Sequence, residues 1–283
     1  MLIDTHAHLD FPEFANDLDA VIARATENGV ERIITIGTGL ASAGRALALA
    51  AQYPGIYAAV GLHPNHVGID QPDFIPELRR LASEPKVVAI GETGLDYHYL
   101  PSRQEKEDIV RSALGAASAG SVEIEIQDEA LKAAQAAAFE QQLELAADLH
   151  RPVVIHHRDA WEETLSILRR YDVRAVFHCF NGNLAQAEEV LEMGHLVSFT
   201  GLVTFKNAVE VIRTAAQLPP GSFMVETDAP YLAPVPVRGK RCEPAFVRHT
   251  AAAIAEARGI PLAELAEETS RTARTFFGLG DEG

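Results

Sequence analysis

The sequence is poor in cysteine, in tryptophan and in positive charge. Its 283 residues include 2 cysteines and 1 tryptophan, and its 24 lysines and arginines face 40 acidic residues, which gives a formal net charge of −16. Two cysteines form no disulfide framework, so we expect a reducing compartment and a cytoplasmic protein. The negative charge argues against a basic, non-specific nucleic-acid binder, although bound cations can supply the positive charge that the side chains lack.

Long apolar runs are also missing. No stretch reaches the roughly 18 consecutive apolar residues that a membrane-spanning helix needs, and the first residues lack the regions of a signal peptide. We therefore expect no membrane association. Hydrophobic residues nevertheless make up 47% of the chain, which is enough for a large core.

Short β-branched runs alternate with longer amphipathic segments along the chain. Eight runs predict strands, at Leu2–His6, Arg32–Ile36, Ile56–Gly61, Val87–Gly91, Pro152–His156, Arg174–His178, Leu196–Phe199 and Phe223–Thr227. Strands that alternate with helices predict parallel βαβ units. Eight repeats favour an α/β fold, a single-domain (β/α)8 barrel of the TIM type spanning residues 1–283, although periodicity alone does not establish closure.

One connection, after the fourth predicted strand, is longer than the others. It contains an extended segment at about 103–135, with an Ala/Ser/Gly-rich stretch followed by an alternating SVEIEI sequence and an Ala-rich region. We expect this segment to be an insertion. Two interpretations stay open: an exposed helical extension, or a cap over the active face of the barrel.

The first predicted strand ends in the motif DTHAH. Alternate side chains of a strand share a face, so Asp4, His6 and His8 would project the same way. The two imidazoles could then bind one divalent ion, with Asp4 orienting a ring from behind. An isolated His-x-His motif is weak evidence, because short motifs also occur by accident.

Further potential ligands follow the ends of other predicted strands. The complete candidate set is His6, His8, Glu92, His156, His178 and Asp228. In an α/β barrel the C-terminal strand ends surround one mouth, where catalytic groups gather. Such a constellation is far more specific than one motif and predicts a metal site. Its four imidazoles and two carboxylates exceed the needs of one tetrahedral zinc and suit a pair of divalent ions.

Glu92, from the middle of the barrel, would bridge both ions. His6, His8 and Asp228 would complete one ion's ligands, and His156 and His178 those of the other. Such a pair activates a shared water and stabilises charge on attacking and leaving oxygens, which suits phosphodiester hydrolysis. The sequence shows no Gly-rich phosphate loop and no serine nucleophile elbow, which weakens covalent alternatives.

Eight stretches, in order along nearly the whole chain, resemble the TatD family of metal-dependent deoxyribonucleases, within the amidohydrolase-like barrels. They are IDTHAHLD, VGLHPN, IGETGLDYH, VVIHHRDA, FHCFNGN, TGLVTFKNA, ETDAPYLAP and VRGKRCEPAFV. The resemblance implies a cytoplasmic metal-dependent hydrolase of DNA, often a 3′→5′ exonuclease on single strands. It assigns the six ligands above, gives Asp228 a general-base role, and places His63 near the scissile phosphate. A histidine bonded within its own loop is the alternative for His63.

The sequence departs from the family pattern in two places. The family usually has Asn where Cys242 stands, which removes no ligand. The 103–135 segment exceeds the usual connection, and the family-like Q-x3-F-x2-Q-L pattern resumes only at Gln135, Phe139, Gln142 and Leu143. The extra segment puts the size of the substrate in doubt.

Candidate substrate contacts also follow the barrel strands. The cations that could hold phosphates are Arg158, Lys206, Arg238, Lys240 and Arg241. The tyrosines that could stack on bases are Tyr97, Tyr99 and Tyr231. Each cation has an ordinary surface role as its alternative, and each tyrosine can instead anchor the core or a loop.

Three functions remain open at this point. The first is a two-metal exodeoxyribonuclease that acts on single-stranded DNA with Mg²⁺ or Mn²⁺, Zn²⁺ and Ni²⁺ being other candidates. The second is a hydrolase of the same fold for an amide, lactone or ester; many such barrels bridge their metals with a carbamylated lysine from strand four, where this chain has Glu92. The third, a non-enzymatic scaffold, is disfavoured because buried polar groups are costly without partners. No obligate protein partner is evident.

Overall fold

A computed structural model describes residues 1–68, 73–103 and 121–280. Eight strands form one parallel sheet in the order β1 to β8. They are β1 Leu2–Ala7, β2 Val30–Ile36, β3 Ile56–Val60, β4 Val87–Asp96, β5 Val153–Arg158, β6 Ala175–Phe177, β7 Leu196–Phe199 and β8 Phe223–Val225. Each lies where the sequence predicts a strand, and β4 continues beyond its predicted end.

Contacts between the first and last strands complete the barrel. The backbone N–H of His8 donates to the carbonyl of Ala229 at 2.7 Å, and that of Asp228 donates to the carbonyl of His6 at 2.9 Å. Ala7 and Ala229 form a parallel bridge. The predicted TIM-type barrel is therefore confirmed.

Helices surround the sheet. They are α1 Leu18–Glu27, α2 Leu40–Gln52, α3 Ile75–Ala82, α4 Ser121–Leu149, α5 Trp161–Leu168, α6 Leu184–Glu192, α7 Val209–Gln217, α8 Val247–Arg258 and α9 Leu262–Phe277. Their apolar faces pack on the strands, as Leu78 and Leu81 of α3 illustrate. Local signals set their ends: a capping box of Asn183 and Gln186 opens α6. None of the helices in the described ranges has the length and apolar character needed to cross a membrane.

The barrel interior is apolar at one end and polar at the other. Inward-facing residues such as Ile34, Val88 and Met224 form one buried cluster, to which Phe276 and Phe277 at the end of α9 also belong. Phe276 lies beneath the guanidinium of Arg174, just before β6, which places this cluster at the N-terminal end of the barrel. Polar side chains, such as those of His6, Glu92 and His178, occupy the opposite end of the barrel, where the strands end.

The predicted insertion at 103–135 is only partly covered. Residues 104–120 lie outside the described residues. From Ser121 onward the chain is already in the 29-residue helix α4, so the alternating SVEIEI sequence is helical. Whether 103–135 forms a separate insertion stays a prediction.

Candidate metal centre

Glycines in β4 allow Glu92 to approach the neighbouring strand. Gly91 has a φ of +142°, and a Cβ on it would lie 2.6 Å from the carbonyl oxygen of Val154 in β5. Only glycine tolerates this backbone angle together with so close an approach. The close packing of β4 on β5 brings the Glu92 carboxylate beside His156.

One group of donors joins the end of β1, β4 and the segment after β8. The Nε2 atoms of His6 and His8 lie 3.3 Å apart. Asp228 Oδ1 lies 3.7 Å from His6 Nε2 and 3.4 Å from His8 Nε2. Glu92 Oε2 lies 3.5 and 3.8 Å from the same two nitrogens. The structure therefore brings together the four residues predicted to hold the first ion.

The other oxygen of Glu92 faces a second group. Glu92 Oε1 lies 2.8 Å from His156 Nδ1 and 2.8 Å from His178 Nε2, and these nitrogens are 3.3 Å apart. All six predicted ligands thus meet at one end of the barrel. Each oxygen of Glu92 serves a different set of imidazoles, which is the arrangement that the bridging prediction requires.

Hydrogen bonds on the far side of two rings assign their tautomers. His8 Nδ1 lies 3.2 Å from the carbonyl oxygen of Ile36, which only accepts, so Nδ1 carries the proton. His156 Nε2 likewise faces Asp96 Oδ2 at 3.0 Å. In both rings the other nitrogen, Nε2 of His8 and Nδ1 of His156, faces Glu92, and on losing its proton it could bind a metal ion, as in metal-binding histidines oriented by an outer partner.

His63 has the opposite tautomer. Its Nδ1 accepts a hydrogen bond from the backbone N–H of Asn65 at 3.0 Å, so Nε2 carries the proton. That Nε2 lies 3.5 Å from Glu92 Oε1 and 3.3 Å from His156 Nδ1. Burial lowers the pKa of His63 to about 3, despite the attraction of Glu92. His63 is therefore a neutral N–H donor aimed at the centre, which suits a substrate contact better than a metal ligand.

The charges of the centre depend on one another. Burial would raise the pKa of Glu92, but His178 and other nearby imidazoles hold it well below its ordinary value. Burial would lower the pKa of His178, but Glu92 and Glu226 raise it well above its ordinary value. The buried carboxylate of Glu92 therefore depends on positive charge nearby, which a protonated imidazole such as His178 supplies in the metal-free protein. Three groups of side chains have donor atoms close enough to share one ion: His6, His8 and Asp228; His6, His178 and Glu226; and His63, Glu92 and His156. Mixed imidazole and carboxylate donors of this kind fit divalent ions.

Two carboxylates behind the ligands were not assigned from the sequence. Asp96 holds His156, as described above. Glu226 Oε1 accepts from the backbone N–H of Cys179 at 2.7 Å and lies 3.4 Å from His178 Nδ1, and Ser198 Oγ donates to Glu226 Oε2 at 2.5 Å. Both acids stand in quoted motifs at strand ends, but only the three-dimensional structure shows which ring each one contacts.

The prediction that Asp4 orients a histidine ring is wrong. Its carboxylate accepts hydrogen bonds from the backbone N–H of Thr227 at 2.9 Å and from Thr227 Oγ1 at 2.6 Å. Burial raises the pKa of Asp4 to about 8. Asp4 thus fixes the backbone immediately before Asp228 instead of a ring.

A cavity of about 610 Å³ opens above the centre. Aromatic side chains at its wall include Phe11, Tyr99 and Tyr231, and Tyr99 and Tyr231 are about half exposed. Arg158 is the one lysine or arginine among the described residues that line it. The guanidinium of Arg158 lies over the Tyr99 ring, 5.1 Å from its centroid, and donates to Tyr99 Oη at 3.2 Å.

Other predicted substrate contacts lie elsewhere. Lys206 and Arg238 are exposed and are not among the described residues that line the cavity, and Arg238 stacks over Phe205. Arg241 Nη2 pairs with Asp17 Oδ2 at 2.7 Å, a role within the protein. Tyr97 is buried and donates to Glu163 at 2.7 Å, so the prediction that it stacks on bases is wrong.

A TIM-type barrel with buried histidines and carboxylates at its C-terminal strand ends is typical of metal-dependent hydrolases. The model of the family described as TatD related DNase matches residues 3–278. The chain belongs to this family and is a TatD-type metal-dependent hydrolase.

Known relatives agree with this assignment. YabD of Bacillus subtilis (strain 168), an uncharacterized metal-dependent hydrolase, is 36% identical over 99% of this chain and 100% of its own length. The 3′-5′ ssDNA/RNA exonuclease TatD of Klebsiella pneumoniae (strain 342) is 31% identical over 100% of both chains. The crystal structure of YJJV, a TatD homologue from Escherichia coli K12, aligns with a TM-score of 0.80 at 30% identity, covering 99% of this chain and 98% of the other.

Proposed function

We propose that this hydrolase is a two-metal exodeoxyribonuclease that degrades single-stranded DNA from the 3′ end. The observation that carries the proposal is Glu92, whose two oxygens face separate sets of imidazoles. One ion would be held by His6, His8, Asp228 and Glu92, and the other by His156, His178 and Glu92. When bound, a pair of divalent ions lowers the pKa of a shared water and neutralises charge on the phosphodiester oxygens. We propose Mg²⁺ or Mn²⁺ for activity, with Zn²⁺ or Ni²⁺ as alternatives.

Asp228 and His63 supply groups for proton transfer and substrate binding. Burial would raise the pKa of Asp228, but His8 and the neighbouring imidazoles lower it below its ordinary value, so the carboxylate stays ionised. It can accept a proton from an attacking water as a general base. The Nε2–H of His63 can donate to a phosphoryl oxygen held in the cavity.

The mouth of the cavity suits a single strand. Unpaired bases stack on aromatic side chains, whereas a duplex hides its base faces. Phe11, Tyr99 and Tyr231 offer such faces, and Arg158 offers one cation for a phosphate. Lys206 and Arg238 remain proposed contacts for phosphates of the strand outside the cavity. The Klebsiella relative bears the name of a single-strand exonuclease, which supports both the substrate and the direction.

We also propose that the enzyme works in the cytoplasm. Cys179 and Cys242 are free in the structure, which fits a reducing compartment.

The test compares 3′- and 5′-labelled single-stranded DNA, double-stranded DNA, RNA and a simple ester. The protein is stripped with EDTA and then supplied with Mg²⁺ or Mn²⁺. We expect no hydrolysis without metal, and release of mononucleotides from the 3′ end of single-stranded DNA once metal returns. Calorimetric titration with Mn²⁺ should give two ions per chain. Activity in excess EDTA would overturn metal catalysis, a stoichiometry of one would overturn the bridged pair, and turnover of the ester alone would favour the amide, lactone or ester alternative.

A further inference from the structure

We propose that Gln135 and Gln142 of α4 are positioning residues, which hold the two backbone segments that carry Asp96 and His63. The proposal rests on the metal centre and on the donor role of His63 proposed above. Both glutamines belong to the Q-x3-F-x2-Q-L pattern, which the proposed chemistry does not use.

Gln142 binds both backbone groups of Leu62. Its Oε1 accepts from Leu62 N at 2.8 Å, and its Nε2 donates to Leu62 O at 3.1 Å and to Ala138 O at 3.1 Å. The side chain is fully buried. Leu62 lies between the end of β3 and His63, where the backbone N–H and C=O have left the sheet and need other partners. The amide of Gln142 therefore makes the two hydrogen bonds to Leu62 that a neighbouring strand would make within a sheet.

Gln135 makes the same pair of contacts with Asp96. Its Oε1 accepts from Asp96 N at 2.9 Å, and its Nε2 donates to Asp96 O at 3.2 Å. Gln135 is buried as well. Asp96 is the last residue of β4, and its carboxylate faces His156 Nε2 at 3.0 Å. Fixing this backbone therefore fixes the carboxylate that orients a proposed metal ligand.

One face of a single helix presents both amides. The two residues are seven positions apart, which is about two helical turns, so they lie above one another. Phe139 stands between them and is fully buried in the core. A primary amide has both a donor and an acceptor, so it can satisfy both backbone groups at once. A methionine of similar size cannot, and would leave buried polar groups unpaired.

The two contacts lead to different consequences. Gln135 acts through Asp96 on His156, so its loss should weaken metal binding. Gln142 acts through Leu62 on His63, a donor and not a ligand, so its loss should lower turnover without weakening metal binding. A purely structural role for α4 would not separate these two effects.

The experiment uses the full chain and the variants Gln135→Met and Gln142→Met. Gln141→Met is the matched control, because Gln141 is the exposed neighbour of Gln142. Leu143→Ala, at a fully buried apolar position, is a control for lost stability. Thermal unfolding, Mn²⁺ affinity by calorimetry, and kcat and KM on single-stranded DNA are measured for each. The tautomer of His63 is followed by imidazole ¹⁵N NMR, assigned with His63→Gln.

We expect Gln135→Met to weaken Mn²⁺ binding by up to roughly 10- to 100-fold, the range seen when an outer partner of a metal ligand, here Asp96, is lost. Gln142→Met should keep the wild-type Mn²⁺ affinity, lower kcat more than it changes KM, and lose the single Nε2–H tautomer of His63. Gln141→Met should behave as wild type. Leu143→Ala should lower the melting temperature while keeping Mn²⁺ affinity and the His63 tautomer.

The proposal is overturned if both methionine variants only lose stability, as Leu143→Ala does, or if Gln142→Met weakens Mn²⁺ binding as much as Gln135→Met. These results differ from a failure of the proposed function. Wild-type protein that binds no Mn²⁺ would refute the metal centre, and the inference with it. Wild-type protein that binds Mn²⁺ but does not cleave DNA would refute only the substrate, because metal affinity and the His63 tautomer still report on the two glutamines.

Discussion

Replacing Glu92 by glutamine should abolish hydrolysis while preserving the barrel. The substitution keeps the shape of the side chain but removes the negative charge of the carboxylate. Glu92 Oε1 lies 2.8 Å from both His156 Nδ1 and His178 Nε2, and Oε2 lies 3.5 Å from His6 Nε2. A bridging carboxylate contributes to both ions, so we expect kcat/KM to fall by at least about 10³-fold, which corresponds to roughly 4 kcal/mol of transition-state stabilisation.

The metal-free protein should respond to the same change. His178 keeps its raised pKa chiefly because of the Glu92 charge, which outweighs the effect of burial. Removing one partner of such a buried pair typically costs about 3–5 kcal/mol when the other remains charged. The variant should therefore unfold at a lower urea concentration than wild type in EDTA, and the difference should shrink at high pH, where His178 is neutral in both proteins.

The assay is Mn²⁺-dependent cleavage of single-stranded DNA, together with urea unfolding of stripped protein. Glu77→Gln is the control, because it makes the same chemical change at an exposed position that pairs with Arg80. It should leave cleavage unchanged. If Glu92→Gln kept more than about a tenth of wild-type turnover, a loss of under 1.4 kcal/mol, Glu92 would not bridge the ions.

Three further predictions concern the mouth and the core. Tyr231→Ala should raise KM for single-stranded DNA by about 5- to 150-fold, since one stacked base is worth about 1–3 kcal/mol, and equal KM values would exclude stacking at Tyr231. Arg158→Ala should reduce the slope of log affinity against log salt concentration by about 0.7, which is the contribution of one phosphate contact on a single strand. The slope is measured by fluorescence anisotropy at several salt concentrations, and an unchanged slope would show that Arg158 contacts no phosphate. Burial lowers the pKa of His195 from 6.5 to about 4. As the pH falls, His195 is therefore protonated in the unfolded chain before it is protonated in the folded protein, and the folded protein loses stability between pH 6.5 and pH 4. From about pH 7.5 to pH 5, wild type should lose about 2 kcal/mol more than His195→Gln in chemical denaturation, and parallel losses would contradict this reasoning.

The strands were predictable because buried β-branched runs alternate with amphipathic segments, but the length of β4 was not. Glu92, Gly94 and Asp96 read as the loop after a strand, since glycine and acidic residues are depleted in strands. In the structure this stretch continues the sheet: Thr93 pairs with Ile155, and Asp96 with Arg158. Close packing against β5 overrides the local preference here, because glycine at 91 and 94 lets the two backbones approach.

The gathering of the six predicted ligands was predictable from topology, because parallel strand ends of a barrel share one rim. The partners behind the ligands were not. Asp4 binds Thr227, 223 positions away, and the direction of its side chain depends on how β1 joins β8. The tautomers of His8 and His63 depend on single backbone contacts, with Ile36 and Asn65, that no spacing in the sequence encodes.

The net charge and the proposed substrate can be reconciled at the metal centre. A chain with a net charge of −16 repels a polyanion, and its cavity is lined by Glu92, Asp96 and Asp228, with Arg158 as the one lysine or arginine among the described lining residues. Two divalent ions would add four positive charges where the acids are concentrated, and would reverse the local field that a phosphate meets. Metal should therefore be needed for binding of DNA as well as for its cleavage. The stacking surfaces of Tyr99 and Tyr231 then hold the strand through its bases, a contact that the negative charge of the protein does not oppose.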